Sequence, residues 1–185
     1  MAKVGSGDAP RARRGSFRRF RRDENGATAV EFGIIALPFI ALMMAIIETA
    51  LVFFAGQAME TAVDRASRLV RTGQAQQQGF SAEDFKKEVC SGVMSLLDCD
   101  GGLKIDVATY KSFGDIALTK PVDGAGNLKK TFDYKPGNGG DIVVVRAFYE
   151  WPVYINLLGH NLANMANGTH LLSSATAFRN EPFPW

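Results

Sequence analysis

Few side chains in this chain of 185 residues are of a type and spacing that could do chemistry. Glu31 is one: a carboxylate set a few residues inside an apolar run, where charge is costly unless it meets a partner. Cys90 and Cys99 are another, ten residues end to end, and could close a disulfide in an oxidising compartment or stay as two buried thiols. Asp98, Asp100 and Asp106 invite a calcium reading. The glycine and closing glutamate of an EF-hand loop are missing from their places, so turn chemistry is the better account. His160 and His170 fit no zinc spacing. No Ser, His, Asp set, phosphate loop or carboxylate pair stands out, so neither catalysis, nor a cofactor, nor a metal is expected. Asn167-Gly-Thr169 forms a glycosylation sequon by pattern alone.

Charge separates the chain into unlike regions. Residues 1–26 carry eight basic side chains against three acidic ones, a net +5, which leaves −3 for the remainder of a chain whose total is +2. The arm "RARRGSFRRFRR" could in principle grip nucleic acid through its arginines with Phe17 and Phe20 interleaved. A topology signal explains the same arginines, because they abut a long apolar segment, and no nucleic-acid partner is expected.

That segment, residues 27–56, holds two charges in 30 residues, Glu31 and Glu48. As a helix it would be roughly 45 Å long, more than the roughly 30 Å hydrocarbon core of a bilayer. The two glutamates would lie about 26 Å apart, one toward each interface and neither at the midplane. Seven arginines precede the span closely, whereas only Arg65, Arg68 and Arg71 follow at a comparable distance, so the positive-inside rule puts the N-terminus in the cytoplasm. Pro38 falls within the span and tends to kink it, and Gly33 adds a small face. A cleaved secretory signal competes for this pattern, yet the uncharged stretch from Phe32 to Ile47 already exceeds a usual signal core and runs on through "ALVFFAG".

Helical period continues past the span. Met59, Ala62, Val63, Ala66, Leu69 and Val70 recur at i, i+3, i+4, i+7, and Gly73 follows as a stop, so one helix is expected over 27–72. "GQAQQQGF" reads as a linker. Ser81 with Asp84 resembles a capping box opening a second helix from Ala82 to about Leu97. A Cys90–Cys99 bond then requires that helix to end near Leu97 and the chain to turn back at "DCDGG", since on a continuous helix the two would stand about 13 Å apart.

Beyond Gly101 the period becomes two. "LKIDVATY", "DIVVVRAFYEWPV" and "HLLSSATAFRN" read as strands, with a short hairpin at "DIALTK" as a fourth element and a short helix in the crossover between the last two. The expectation is an α+β chain: a basic cytoplasmic leader (1–26), a transmembrane and amphipathic helix (27–72), and a periplasmic domain (73–185) whose antiparallel sheet of three or four strands is covered by the helix.

The opening motif carries a resemblance. Basic residues, then "NG" followed by "ATAVEF" and an apolar helix, resemble the processing site of type IV pilins, with a glycine at the cut and glutamate fifth in the mature chain. The longer stretch from Asn25 to Gln76, with Ala58, Ala62, Ala66, Arg71 and Gly73, and the ending "ATAFRNEPF", are similar to TadE-like pilus assembly proteins, the minor pilins or pseudopilins of the tight-adherence (Tad/Flp) system. The resemblance is strong over about 50 N-terminal residues and weak in the middle of the chain. The 26-residue leader is long for a pilin, and Ala27 replaces a bulkier first residue. It implies cleavage between Gly26 and Ala27 by a prepilin peptidase, and a role for Glu31 in pairing with the new amino terminus of a neighbouring subunit. It also implies a single-pass inner-membrane location with the C-terminal domain periplasmic, and as partners other Tad pilins and pseudopilins, an inner-membrane assembly platform and the lipid bilayer. Read from the residues alone, Glu31 could instead snorkel to the inner headgroups. An uncleaved, single-pass anchored periplasmic interaction module or sensor is the alternative function.

Overall fold

The structure is a computed structural model that describes residues 24–93, 96–154 and 162–184. Its element order is α1 (Glu24–Arg71), α2 (Gln74–Gln77), α3 (Ala82–Gly92), β1 (Leu103–Tyr110), a 3₁₀ turn (Phe113–Asp115), β2 (Ile142–Pro152) and β3 (Thr169–Arg179). The class is α+β: a long N-terminal apolar helix followed by a small domain with a three-stranded antiparallel sheet. The arginine arm, His160 and residues 155–161 of the crossover expected to hold a short helix lie outside the described residues.

Two compact units divide the chain, one ending at Met43 and the other beginning at Met44. In the first, α1 exposes one large apolar side chain after another, Phe32, Ile34, Ile35, Leu37 and Phe39 among them. Pro38 donates no hydrogen bond to the carbonyl four residues back, yet it does not end the helix.

In the second unit the same helix turns amphipathic. Val52, Ala55, Met59, Ala62, Val63, Ala66 and Val70 are buried at helical spacing and join a core with Phe85, Val89 and Val93 and with Leu103, Val107, Val143, Val145 and Ala147 of the sheet. Alanines at three of these positions let other backbones come close. A Cβ built on Gly92 would stand 2.7 Å from the Ala62 Cβ, so glycine is the residue that allows α3 to end against α1.

The strand order is β1-β2-β3. Tyr149 faces Leu103 on one side and Leu172 on the other, and Val145 faces Val107 and Thr176. Strand β2 is buried on both faces through Tyr149, which explains its β-branched and aromatic run. Its outer face is closed by the connection from β1, where Phe132 stacks on Phe148 with ring centroids 5.3 Å apart.

Two details depart from the sequence expectation. Helix α3 ends at Gly92, about five residues before Leu97: "CSG" is poor helix former, and the approach to Ala62 is close. "DIALTK" forms no hairpin. The tight turn comes later, where Val122 bridges Leu128 and the Asp123 carboxylate accepts from Ala125 N and Asn127 N, both at 2.9 Å. Gly126, at φ 81°, supplies the left-handed residue that turn needs.

Candidate functional site

The residues singled out for chemistry are spread along the chain. Gly26, Ala27 and Glu31 lie at the start of α1 and are exposed. The first turn of a helix lacks intrahelical partners for its N–H groups, so the Gly26–Ala27 bond sits where the helix is cheapest to open, and glycine lowers that cost by about 1 kcal/mol relative to alanine. Glu31 is four residues beyond Ala27 and so shares its face of the helix. A chain starting at Ala27 would place its ammonium one turn from that carboxylate.

Glu48, the other charge of the apolar run, has a different setting. It is only 5% exposed, and its carboxylate accepts a hydrogen bond from the backbone N–H of Tyr154, 2.5 Å away. Around it lie Met44, Ile47, Leu51, Trp151 and Tyr154, which line an apolar groove of about 210 Å³.

Cys90 and Cys99 are disulfide-bonded, with Cα atoms 6.0 Å apart. The early end of α3 makes this separation reachable. The aspartates near the bond serve the turn: Asp98 accepts from Asp100 N at 3.2 Å through its side chain and from Gly102 N at 3.1 Å through its carbonyl. Asp106 does something unrelated. It is buried on the outer face of the sheet in an ion pair with Arg146, whose Nε is 2.9 Å from Oδ2 and whose Nη1 donates to the Thr119 carbonyl at 2.7 Å. Its other oxygen accepts from Asp133 N at 3.3 Å. A lone acid in β1 and a lone base in β2, each amid apolar neighbours, were the signal for this pair. Only the strand register makes them face each other.

Among the described residues, no group of three or more His, Cys, Asp or Glu side chains could hold a metal ion. His170 Nδ1 is 2.6 Å from the Leu162 carbonyl. Asn167 bonds Glu150 Oε1 at 2.9 Å while its oxygen accepts from Thr169 Oγ1 at 2.7 Å. Where pKa values shift, hydrogen bonds or burial cause it. Ser81 holds Asp84 below the ordinary carboxylate value as the reciprocal half of the capping box, and Lys111 with Asn138 N does the same for Asp141. Burial, followed by the Asp84 charge, pushes the Tyr134 phenol up to about 12.

The exposed helix is therefore the part of the molecule without an intrachain explanation. Among the described residues, one helix is long and apolar enough to cross a bilayer, consistent with membrane anchoring, and comparison with known families locates a match on it: residues 26–68 match the model described as TadE-like protein. The helix carries a TadE-like segment. This segment begins at Gly26, takes in Glu31 and Glu48, and stops within the amphipathic part of α1. No curated protein and no solved structure matches the chain. The TadE-like segment supports a Tad pilus-associated protein, with the domain beyond residue 68 outside the match.

Proposed function

We propose that this chain is a minor pilin or pseudopilin of the Tad pilus, matured by a prepilin peptidase between Gly26 and Ala27 and assembled through α1. It takes part in assembly as a structural or priming component and not as an enzyme. Its leader is cytoplasmic, α1 crosses the inner membrane, and the domain beyond residue 72 is periplasmic, where a Cys90–Cys99 bond persists. Its partners are other Tad pilins and pseudopilins and the inner-membrane assembly platform. The single observation that carries this reading is that the TadE-like match begins at Gly26 and runs first along a stretch of α1 whose large apolar side chains, from Val30 to Ile47, are exposed.

Physical chemistry supports an order of events. A carboxylate in a transmembrane helix costs roughly 2.5 to 3.5 kcal/mol near the centre and persists where it meets a partner. Cutting after Gly26 creates an ammonium at the depth of Glu31. The cut also releases the +5 leader, which otherwise holds the N-terminus at the cytoplasmic face. Maturation thus both frees the helix and creates the charge that Glu31 pairs with in a neighbouring subunit.

Mass spectrometry of the membrane-extracted chain tests this. A terminus at Ala27 that is lost in a Gly26→Ala variant supports the reading, whereas Met1 retained in cells expressing the peptidase supports the uncleaved anchored module. In Glu31→Ala, cleavage and insertion should persist while piliation falls. Unchanged piliation would remove the pairing role.

A further inference from the structure

Where a bilayer around α1 would meet the domain follows from the side chains of α1 itself. Within the unit that begins at Met44, exposed apolar side chains continue along α1 as Met44, Ile46, Ile47, Leu51, Phe53 and Phe54, the last two 72% and 63% exposed. Beyond Phe54, exposed polar side chains begin with Gln57 and Glu60. A bilayer that covers Phe53 and Phe54 therefore reaches at least as far as Phe54. Glu48 lies six residues earlier, about 9 Å lower along the helix axis. The end of β2 is fixed at the level of Glu48, because the Tyr154 N–H donates to its carboxylate and Trp151 and Tyr154 line the groove beside Met44, Ile47 and Leu51.

We propose that this corner, residues Trp151 to Tyr154 at and just past the end of β2 with the groove around Glu48, is immersed in the interfacial layer of the bilayer and binds lipid. The inference rests on α1 being a membrane span. The occupant is lipid because the groove continues the apolar run of a helix that crosses a membrane, and its exposed lining is almost wholly apolar. Two features fit that environment. Backbone groups at membrane depth must be satisfied within the protein, and the first N–H groups beyond a strand end are the ones at risk; Glu48 caps one of them. Tyr154, 79% exposed, is of a side-chain type that favours the water–lipid boundary, and the buried Trp151 packs beside it along the groove. Glu48 then has a structural task distinct from that of Glu31: it lets a sheet corner enter a medium poor in water.

The test uses the full chain reconstituted into phosphatidylcholine vesicles under non-reducing conditions. The native cysteines stay bonded, and a single environment-sensitive fluorophore is placed on Ile40→Cys, Tyr154→Cys or Lys87→Cys. Quenching by lipids spin-labelled near the headgroup and by aqueous iodide is then compared. The expected result is that residue 154 is quenched several-fold more by lipid than by iodide, as residue 40 is by deeper labels, while residue 87 responds only to iodide. Lipid quenching at 40 with iodide quenching at 154 overturns the corner and leaves the span intact. Shielding of 154 from both quenchers overturns it in favour of a second copy. Absence of lipid quenching at 40 overturns the span itself. In Glu48→Gln, whose amide oxygen still accepts from Tyr154, the pattern should persist; in Glu48→Ala, iodide quenching at 154 should rise at least twofold.

Discussion

The two parts of α1 are written in similar letters and meet opposite fates. From Ala27 to Met43 nearly every side chain is exposed, with only glycine and alanine positions half-shielded by their own neighbours. From Ala55 to Val70 the apolar residues keep one stripe and bury it on the sheet and α3, while Glu60, Asp64, Arg65 and Arg68 take the other side. Hydrophobicity alone does not distinguish a helix meant for lipid from one meant for a core; the presence of a polar face does. An all-round apolar surface has no intrachain partner and must be satisfied by something else, while a striped one declares which side its own domain covers.

Substitutions can break this contrast. The largest effect is expected from Val63→Asp, which buries an unpaired carboxylate at a site with no exposure; it should cost about 4 kcal/mol or more and abolish cooperative unfolding of the domain by near-UV circular dichroism. Ile40→Asp, on the exposed part, should leave the domain's melting transition within about 0.5 kcal/mol of the parent while reducing membrane retention in flotation assays. Replacing Cys90 and Cys99 together by serine removes a cross-link closing a short loop and should lower stability by about 2 to 3 kcal/mol in urea unfolding. Gly92→Ala forces a methyl group into Ala62 and should cost about 1 to 3 kcal/mol, again with the exposed part untouched.

The smallest effect sharpens the comparison through pH. Asp141 is held below its ordinary value of 3.8 by Lys111 and by Asn138 N. A depressed folded-state pKa adds stability that is fully present above about 3.8 and is lost as pH falls through the lower folded value. Thermal unfolding of the domain should therefore weaken on acidification below pH 3.8, and the slope should be shallower in Asp141→Asn.

How far the sequence could be read depended on the range of the interaction. The helix, the capping box at Ser81 and Asp84 and the three strands rest on local period and spacing, and all were legible. The end of α3 was not, because it is set by Gly92 meeting Ala62, thirty residues earlier in the chain. The Asp106–Arg146 pair and the Glu48–Tyr154 bond likewise depend on partners 40 and 106 residues away. Glu31 was legible as unusual from its apolar surroundings, and Glu48 looked the same by that measure. Only the fold separates a carboxylate that its own chain uses from one left exposed on the helix.

The last described residues close a circuit. Arg71, at the end of α1, has its carbonyl bonded by Glu181 N at 2.9 Å; the buried Asn180 holds the Pro136 and Asn138 carbonyls, each at 3.0 Å; and the Phe183 ring occupies the space a side chain on Gly73 would need. Tension applied along the helix therefore enters the sheet through β3 directly, bypassing the turn at 72–80. A subunit gripped by its stem would share that load between the core stripe and the tail.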